Sequence, residues 1–335
     1  LMYIRAVEYV LPQKCVDTKE VAAWTLKDYD FIRNKIGVSS RHYLSPGETT
    51  TTLASQACEK LFDKNEELSR LDVDFLILVT QNNDYKLPHG SAIIQGKLGL
   101  SNSCASLDIN LGCSGYVYAL SVAKGFAIAN NFKNGVIITC DPYSKIMSRG
   151  DSNTVPLFGD AASATWMSSE KGAKIGQFDF GTDGTKYDSL IVRNGGTKRP
   201  VKSLFEYEDF DDDDDEWRLE MNGRSIFNFM IREVPSSIKR TLEKNKVSIS
   251  DVDLMLCHQA SSYLLNTLSD VMSVPAEKMP ISMSETGNTV SSSVPILLKK
   301  YVYTNRYPSG RKILLSGFGV GLSWATTIIE TGENN

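Results

Sequence analysis

DVDFLIL at residues 72–78 and DVDLMLC at residues 251–257 are two versions of one segment, separated by a constant offset of 179 positions. Each copy is preceded by a stretch of helical periodicity. Each copy is followed by a small-residue turn, a further helix and a second buried strand. Self-similarity at a fixed offset indicates a duplicated unit. We therefore predict two halves of related structure, residues 1–170 and 171–335.

The second buried strand of each half, GVIITC at 135–140 and KILLSG at 312–317, is also rich in apolar residues. Such strands, separated by helices, are typical of sheets covered on both faces. We predict an α/β fold with two mixed sheets, helices between and outside them, and a shared core. Residues 168–225 interrupt the repeat, and we interpret them as a linker and a loop near the site. The GxGxG pattern at 317–321 precedes a strand-like run rather than a helix, so it is weak evidence for a dinucleotide site.

The composition is that of a globular protein, with 41% hydrophobic residues among 335. No apolar run approaches the roughly 20 residues that span a bilayer. Six scattered cysteines without C-x-x-C spacing indicate a reducing compartment. The net charge is −4, but the nine acidic residues within 206–217 leave the rest of the chain at +5. We expect a cytoplasmic protein without a signal peptide or a membrane or nucleic-acid partner. The acidic tract is interpreted as a solvated loop or, alternatively, as a contact for a divalent ion or a partner.

LDINLGCSGYVYAL at residues 107–120 places a cysteine on a tight turn. The first five residues alternate as in a short strand, small residues follow, and a helical pattern begins at Tyr116. A helix N-terminus directs N–H groups and a positive dipole end at such a cysteine, which favours the thiolate. Cys113 is therefore either a nucleophile on a strand-turn-helix unit or one of several small buried cysteines.

Three histidines limit the choice of a partner for Cys113. His42 and His89 lie in polar or turn-like sequence, and we expect both at the surface. His258 ends the second copy of the repeated strand, and open α/β sheets bind ligands at carboxyl ends of strands. It is either a core histidine bonded to the backbone or the partner of Cys113, which the duplication would place opposite it.

Asn288, in the turn ETGNTVSSSVP, is a third candidate, although asparagine at such a turn is often only a helix cap. Cysteine, histidine and asparagine form a coherent chemical set. The thiolate attacks an acyl carbonyl, and the other two side chains donate hydrogen bonds to an oxygen that becomes negative.

Five ordered motifs resemble the ketoacyl synthase III type of condensing enzyme in the thiolase superfamily: the cysteine turn with its helix, FGDAA, CHQAS, GNTVSSSVP and GFGVGLSW. The similarity extends over roughly residues 3–330. It implies a duplicated five-layer αβαβα thiolase-like fold, a homodimer, and no metal or permanently bound cofactor. It also implies an acyltransferase that takes an acyl group from acyl-CoA or an acyl carrier. Decarboxylative Claisen condensation with malonyl-ACP or malonyl-CoA then extends that group.

The resemblance assigns roles to individual residues. Cys113 is the nucleophile, and His258 with Asn288 stabilises the enolate left when the malonyl thioester loses CO2. The backbone N–H groups of Cys113 and Val320 form the oxyanion hole. Leu87 is expected to reach the floor of the acyl pocket of the other subunit. The full set of expected substrate-binding residues is Phe31, Lys35, Leu87, Phe158, Met221, Gly223, Phe227 and Ser261.

Several positions differ from the family's pattern. Phe31 replaces an adenine-stacking Trp, and Lys35 replaces a phosphate-binding Arg, which makes a weaker CoA clamp because Lys lacks the planar fork. Ser261 replaces an Asn, and Tyr263 replaces an Arg implicated in carrier docking. We therefore expect the condensing chemistry in a specialised lipid or secondary-metabolite pathway. Two alternatives stay open: acyl transfer to an alcohol or amine on the same fold, and a non-catalytic subunit of a heterodimer.

Overall fold

The computed structural model describes residues 1–199, 218–304 and 307–332. The strands in these ranges are β1 Tyr3–Val10, β2 Lys14–Asp17, β3 Ser40–Tyr43, β4 Phe75–Val79, β5 Ala105–Ile109, β6 Asn134–Cys140, β7 Ala162–Ser168, β8 Ala173–Thr182, β9 Leu190–Val192, β10 Leu219–Met221, β11 Leu254–Cys257, β12 Lys312–Gly319 and β13 Ser323–Glu330. The α-helices are α1 Thr18–Thr25, α2 Thr50–Lys64, α3 Gly90–Leu98, α4 Gly115–Asn130, α5 Gly223–Asn245, α6 Ser262–Met272 and α7 Ser293–Leu298. Short 3-10 or π turns lie at Phe31–Ile36, Arg70–Asp72, Tyr143–Lys145, Gly184–Ser189, Ile249–Asp251, Ala276–Lys278, Val290–Ser292 and Lys299–Tyr303.

The main sheet repeats one topology twice. Its order is β5-β4-β6-β7-β1-β8-β13-β12-β11. β5, β4 and β6 are parallel and are followed by antiparallel β7 and β1. The second half mirrors this order, with β11 and β12 parallel and β13 and β8 antiparallel. The predicted duplication is confirmed, while the division into residues 1–170 and 171–335 stays a prediction whose boundary falls between β7 and β8.

The two mixed sheets that were predicted are joined edge to edge in the structure. The start of β1 pairs with β8, with Tyr3 opposite Lys174 and Ile4 opposite Ala173. The pairing of β1 with β7 has a register shift between Ile4 and Ala6. Tyr3 and Ile4 are thus paired with β7 on one edge of β1 and with β8 on the other. The two halves therefore form one continuous sheet through this short junction.

The buried strands produce the five layers because consecutive side chains point to opposite faces. In β4, Phe75, Ile77 and Val79 enter a core that also contains α4 and α7 and reaches the strands of the second half. Leu76 and Leu78 enter a second core under α2. A third core lies between the second half of the sheet and helices α5 and α6. The layers are thus α2 and α3, the first sheet half, α4 and α7, the second sheet half, and α5 and α6.

Residues 168–225 contain more regular structure than the sequence predicted. β8 lies between β1 and β13 in the sheet, so the linker interpretation is wrong for this strand. The strand is hidden in the sequence because its apolar–polar alternation breaks down, with an acidic residue buried at 179 and Phe180 exposed beside it. One of them, Asp179, is paired with Arg240 and Lys244 of α5, each at 2.8 Å.

The acidic tract at residues 206–217 lies outside the described residues. Within the described ranges, no helix combines the length and the apolar character needed to cross a membrane.

Position 135 of β6 has room only for glycine, because the ring of Phe75 lies opposite it on β4. An added Cβ at Gly135 would lie 2.0 Å from that ring. We predict that Gly135→Ala lowers the free energy of unfolding by about 1–3 kcal/mol, because overpacking forces the core apart. Equilibrium urea unfolding measures the change.

Gly96 in α3 provides the matched control, since an added Cβ there meets nothing within 4 Å. Gly96→Ala should raise the free energy of unfolding by about 0.5–1 kcal/mol, because alanine is the better helix former. Equal effects of the two substitutions would contradict the overpacking explanation.

Candidate active site

Cys113 lies in the turn between β5 and α4, as predicted, and its side chain is 4% exposed. The neighbouring Gly112 leaves no room for a side chain. An added Cβ there would lie 2.5 Å from the Gln81 Oε1 atom and 2.7 Å from the Val320 Cγ1 atom. The glycine is therefore needed because segments from both halves of the chain close around the cysteine turn.

The segment 317–320 crosses directly over Cys113. An added Cβ at Gly317 would lie 2.7 Å from the carbonyl oxygen of Cys113, and one at Gly319 would lie 2.7 Å from its sulfur. The backbone N–H groups of Val320 and Cys113 both face the thiol sulfur. These are the two N–H groups expected to form the oxyanion hole.

Two serines hold the peptide of Val320 in place. The Ser323 hydroxyl donates to the Val320 carbonyl oxygen at 2.9 Å, and its oxygen lies 2.7 Å from the Ser114 hydroxyl oxygen. Ser114 follows the nucleophile and Ser323 begins β13, so this bridge ties the oxyanion segment to the cysteine turn. Neither serine was identified from the sequence.

His258 follows β11 and is 2% exposed. Its backbone N–H donates to the carbonyl oxygen of Ser316 at 2.8 Å, and its ring meets Phe318 edge to face at 5.6 Å between centroids. The ring Nδ1 lies 2.7 Å from the Ser293 hydroxyl oxygen. Burial lowers the pKa of His258 to about 3, so the imidazole is neutral at physiological pH.

Asn288 is held by its backbone and by its side chain. Its N–H donates to the Leu157 carbonyl at 2.9 Å, and its carbonyl accepts from Gly159 N–H at 3.0 Å. Its Oδ1 accepts from the backbone N–H of Val290 at 2.9 Å. Because the amide oxygen is occupied, the Nδ2 group is the part of the side chain free to donate to a ligand.

Val290 adopts φ +53°, a left-handed conformation that is rare for a β-branched residue and costs on the order of 1–3 kcal/mol. Its N–H fixes Asn288, while its carbonyl accepts from the Ser293 hydroxyl at 3.0 Å and faces the His258 ring. One residue in a strained conformation thus orients the surroundings of both polar residues. In the sequence, the only sign of this arrangement is the run VSSS at 290–293, which lies within the GNTVSSSVP motif.

A cavity of about 400 Å³ brings together most of the predicted residues. It does not include Lys35, which is exposed, or Leu87, which is 83% exposed in the single chain. His89 is exposed as expected, whereas His42 is half-buried, with Nδ1 2.6 Å from the Pro12 carbonyl. The predicted residues that line the cavity are Phe31, Cys113, Phe158, Met221, Gly223, Phe227, His258, Ser261, Asn288 and Val320.

Aromatic side chains line the mouth of this cavity, where its walls reach the surface. Phe31 is 45% exposed, and the ammonium group of Lys27 lies 5.0 Å from its ring centroid. Across the mouth, Phe227 and Tyr263 stack with centroids 5.8 Å apart. Lys27, rather than Lys35, is therefore the cation beside the Phe31 ring.

The expectation that the helix N-terminus favours the Cys113 thiolate is wrong, because burial outweighs that effect. Burial raises the pKa of Cys113 to about 12, and the charge of Asp141 acts in the same direction. The hydrogen bonds from the two N–H groups oppose this effect but are smaller. Among the described residues, no group of three or more His, Cys, Asp or Glu side chains could hold a metal ion.

We predict that alkylation of Cys113 by iodoacetamide accelerates about tenfold per pH unit from pH 7 to pH 10, because only the thiolate reacts and its pKa is near 12. Peptide mass spectrometry measures the rate at Cys113, with the exposed Cys15 in the same digests as a reference for the reagent. A plateau reached below pH 8 would show that the thiolate is stabilised after all.

Known proteins match nearly the full length of this chain. The family model "3-Oxoacyl-[acyl-carrier-protein (ACP)] synthase III" matches residues 107–184, and its C-terminal counterpart matches residues 242–331. The β-ketoacyl-[acyl-carrier-protein] synthase III of Streptococcus sanguinis strain SK36 is 34% identical over 97% of this chain and 98% of its own length.

Solved structures agree with this match. A crystal structure of a 3-oxoacyl-(acyl-carrier-protein) synthase III has a TM-score of 0.90 at 35% identity, covering 98% of this chain and 99% of that one. The 3-oxoacyl-(acyl-carrier protein) synthase of Burkholderia xenovorans LB400 has a TM-score of 0.88 at 30% identity, covering 99% of this chain and 94% of that one. The chain therefore belongs to the β-ketoacyl-[acyl-carrier-protein] synthase III family, whose members are acyltransferases of the condensing type with a thiolase-like fold.

Proposed function

We propose that this enzyme loads an acyl group from acyl-CoA onto Cys113 and condenses it with a malonyl thioester of acyl carrier protein or CoA. The observation that carries the proposal is the set of residues that line one cavity. It holds a thiol beneath two backbone N–H groups, with His258 and Asn288 in its wall. A nucleophile, an oxyanion site and further neutral polar groups are what acyl transfer followed by enolate formation requires.

In the loading step, the Cys113 thiol passes its proton to Nε2 of neutral His258, and the sulfur attacks the thioester carbonyl. The carbonyl oxygen becomes negative and accepts from the N–H groups of Cys113 and Val320. The CoA sulfur then leaves and takes the proton from His258. The step ends with an acyl-cysteine, free CoA thiol and a neutral imidazole.

In the condensation step, the malonyl carboxylate leaves as CO2, and its bonding electrons form an enolate. The enolate oxygen accepts from Nδ2 of Asn288 and from the ring of His258. The enolate carbon attacks the acyl carbonyl, and the Cys113 thiolate leaves and is reprotonated from solvent. Asn288 favours this reaction over transfer to an alcohol or amine, since simple acyl transfer forms no enolate.

The mouth of the cavity suits a CoA thioester. The Phe31 ring offers a stacking surface, and the neighbouring Lys27 supplies a positive charge for a phosphate. Leu190, Ile226 and Met230 provide an apolar wall for the pantetheine arm. We include in this proposal a cytoplasmic location. We also include a specialised lipid or secondary-metabolite pathway, which Phe31 and Lys35 support because both are weaker groups for holding CoA than the Trp and Arg that they replace.

We predict that the two chemical steps separate in variants. Cys113→Ala should abolish covalent labelling by radiolabelled acetyl-CoA, because no other thiol lies under the oxyanion donors. Asn288→Ala should keep loading but lower the condensation rate by about 100-fold or more, as expected when one oxyanion donor is lost. Filter-bound label measures loading, and release of CO2 from malonyl thioester measures condensation.

Matched variants control these measurements. Cys15→Ala removes the exposed thiol, and Asn102→Ala changes an exposed asparagine in a turn. Both should behave as the unmodified enzyme. Loss of labelling in Cys15→Ala would contradict the proposed role of Cys113. Equal losses of loading and condensation in Asn288→Ala would contradict the proposed role of Asn288.

We further propose a homodimer, which the edge of the first sheet half supports. β5 ends the sheet, and its residues are half-buried. The adjacent loop is anchored at both ends. Asp84 accepts from the Thr49 hydroxyl at 2.9 Å, and Asp108 of β5 accepts from the N–H of Gly90 at 2.7 Å. Between these anchors, Tyr85 and Leu87 are 63% and 83% exposed, as expected of side chains that insert into a partner.

If Leu87 lines the partner's acyl pocket, its size sets the preferred chain length. Leu87→Phe should shift the preference among acetyl, butyryl, hexanoyl and octanoyl donors toward shorter chains, and Leu87→Ala toward longer ones. Each methylene buried is worth about 0.8 kcal/mol, or roughly fourfold in kcat/KM.

Leu71, which is 73% exposed in a turn before β4, serves as the control, and Leu71→Phe should leave the chain-length profile unchanged. If the protein is a monomer in solution, or if the chain-length profile is unchanged in both Leu87 variants, Leu87 does not line the partner's acyl pocket.

A further inference from the structure

A hydrogen-bonded pair of polar side chains, Tyr143 and Gln81, lies beside Cys113 and takes no part in either chemical step. Tyr143 is 2% exposed and packs in one apolar cluster with Cys113, Phe158 and Val290. Its ring centroid lies 5.0 Å from that of Phe158, and its hydroxyl donates to the Gln81 Oε1 atom at 3.1 Å. The pair is therefore a polar feature in an otherwise apolar wall next to the nucleophile.

The ends of two neighbouring strands hold this pair in place. Asp141, which follows β6 and is fully buried, accepts from the N–H of Gln81 at 2.7 Å through its carboxylate. Its backbone carbonyl accepts from the N–H of Tyr143 at 2.9 Å. Burial raises the pKa of Tyr143 well above its usual range, so the phenol keeps its proton and remains a donor.

The acyl chain on Cys113 has to leave the cavity free, because the malonyl thioester reaches the acyl-cysteine through the same cavity. The residues beside the cysteine turn that do not line the cavity are Gln81, Tyr143 and Val290. Gln81 follows β4 and is exposed at the start of the loop that carries Leu87. A chain that extends beyond the acyl carbonyl in this direction therefore meets the polar pair first.

The space on this side of the turn is tight. A Cβ added at Gly112 would lie 2.5 Å from the Gln81 Oε1 atom and 3.2 Å from the Val290 Cγ1 atom. An acetyl group adds only a methyl group to the carbonyl carbon. A longer apolar chain has to displace the Gln81 side chain and separate it from the Tyr143 hydroxyl. A buried hydroxyl that loses its partner is destabilising, and an apolar chain offers it no replacement.

We propose that the Tyr143–Gln81 pair is a specificity-determining contact that disfavours apolar acyl groups longer than acetyl in the loading step. This inference rests on the proposed function. The penalty is one broken hydrogen bond whatever the chain length, so it falls equally on butyryl, hexanoyl and octanoyl donors. Leu87 at the end of the pocket acts differently, since its effect changes with the length of the chain that reaches it.

The test compares Tyr143→Phe, Gln81→Met and the double variant with the unmodified enzyme. Tyr143→Phe keeps the ring and removes the donor, whereas Gln81→Met keeps the side-chain length and removes the acceptor. Radiolabel on Cys113 gives kcat/KM for loading from acetyl-, butyryl-, hexanoyl- and octanoyl-CoA. Each single variant should raise the three longer donors relative to acetyl by a common factor of roughly 5- to 30-fold, which corresponds to about 1–2 kcal/mol. Loading from acetyl-CoA should stay within about threefold, which also shows that the variant is folded.

Two further variants separate the hydrogen bond from a gain of space. The double variant should favour longer donors no more than either single variant does, because both substitutions remove the same bond. Tyr116→Phe is the matched control. Tyr116 is also fully buried, with its hydroxyl oxygen 3.2 Å from that of Thr165, but it packs in the core shared by α4 and α7. Its loss of a hydroxyl should leave the ratios among donors unchanged.

Several results would overturn the inference. These are unchanged ratios in both single variants, an effect that grows steadily with chain length, additive effects in the double variant, or the same shift in Tyr116→Phe. If Tyr143→Phe fails to fold, Gln81→Met at its exposed position decides the question alone. An unmodified enzyme that gains no label at Cys113 from any donor would refute the proposed function instead, so the two failures are distinguishable.

Discussion

The close approach of segment 317–320 to the Cys113 turn is the contact on which the rest of the site depends. A side chain at Gly319 would lie 2.7 Å from the nucleophilic sulfur, so backbone meets thiol with nothing between them. The turn comes from the first half of the chain and the segment from the second. Their meeting requires the core shared by α4, α7 and both sheet halves. The duplication thus builds the site, because neither half contains both the nucleophile and its polar partners.

Burial is the second constraint, and it determines how protons are handled. With the pKa of Cys113 near 12 and that of His258 near 3, both groups are neutral at physiological pH. A thiolate–imidazolium pair would place two charges where water is largely excluded, which costs several kcal/mol before their attraction is counted. The buried Asp141, whose pKa burial raises to about 6, also disfavours the thiolate. The charges therefore form only when a thioester supplies an oxygen for the N–H groups to stabilise.

The sequence predicted the parts of this account that rest on repeated or periodic patterns. The paired strands at 72–78 and 251–257 predicted the duplication. The positions of Cys113 and His258 at strand ends, and of Asn288 at a turn that opens a helix, predicted their meeting. β8 was missed because its buried Asp179 is satisfied by a distant partner, Arg240, which no local pattern records. The roles of Val290 and Ser293 depend on backbone torsion and on a contact across 35 residues. The thiolate was predicted from the helix dipole alone, and the cost of burial could only be judged from the folded chain.

The central claim is that one acyl group passes from Cys113 to a new carbon–carbon bond. The most direct measurement is a single-turnover chase. The enzyme is loaded with radiolabelled acetyl-CoA, freed of unbound thioester, and mixed with malonyl-ACP or malonyl-CoA. The account predicts that label leaves Cys113 and appears in a 3-oxoacyl thioester, with one CO2 released per label. Label recovered as free acetate or as an ester or amide, or label that remains on the protein, would contradict it.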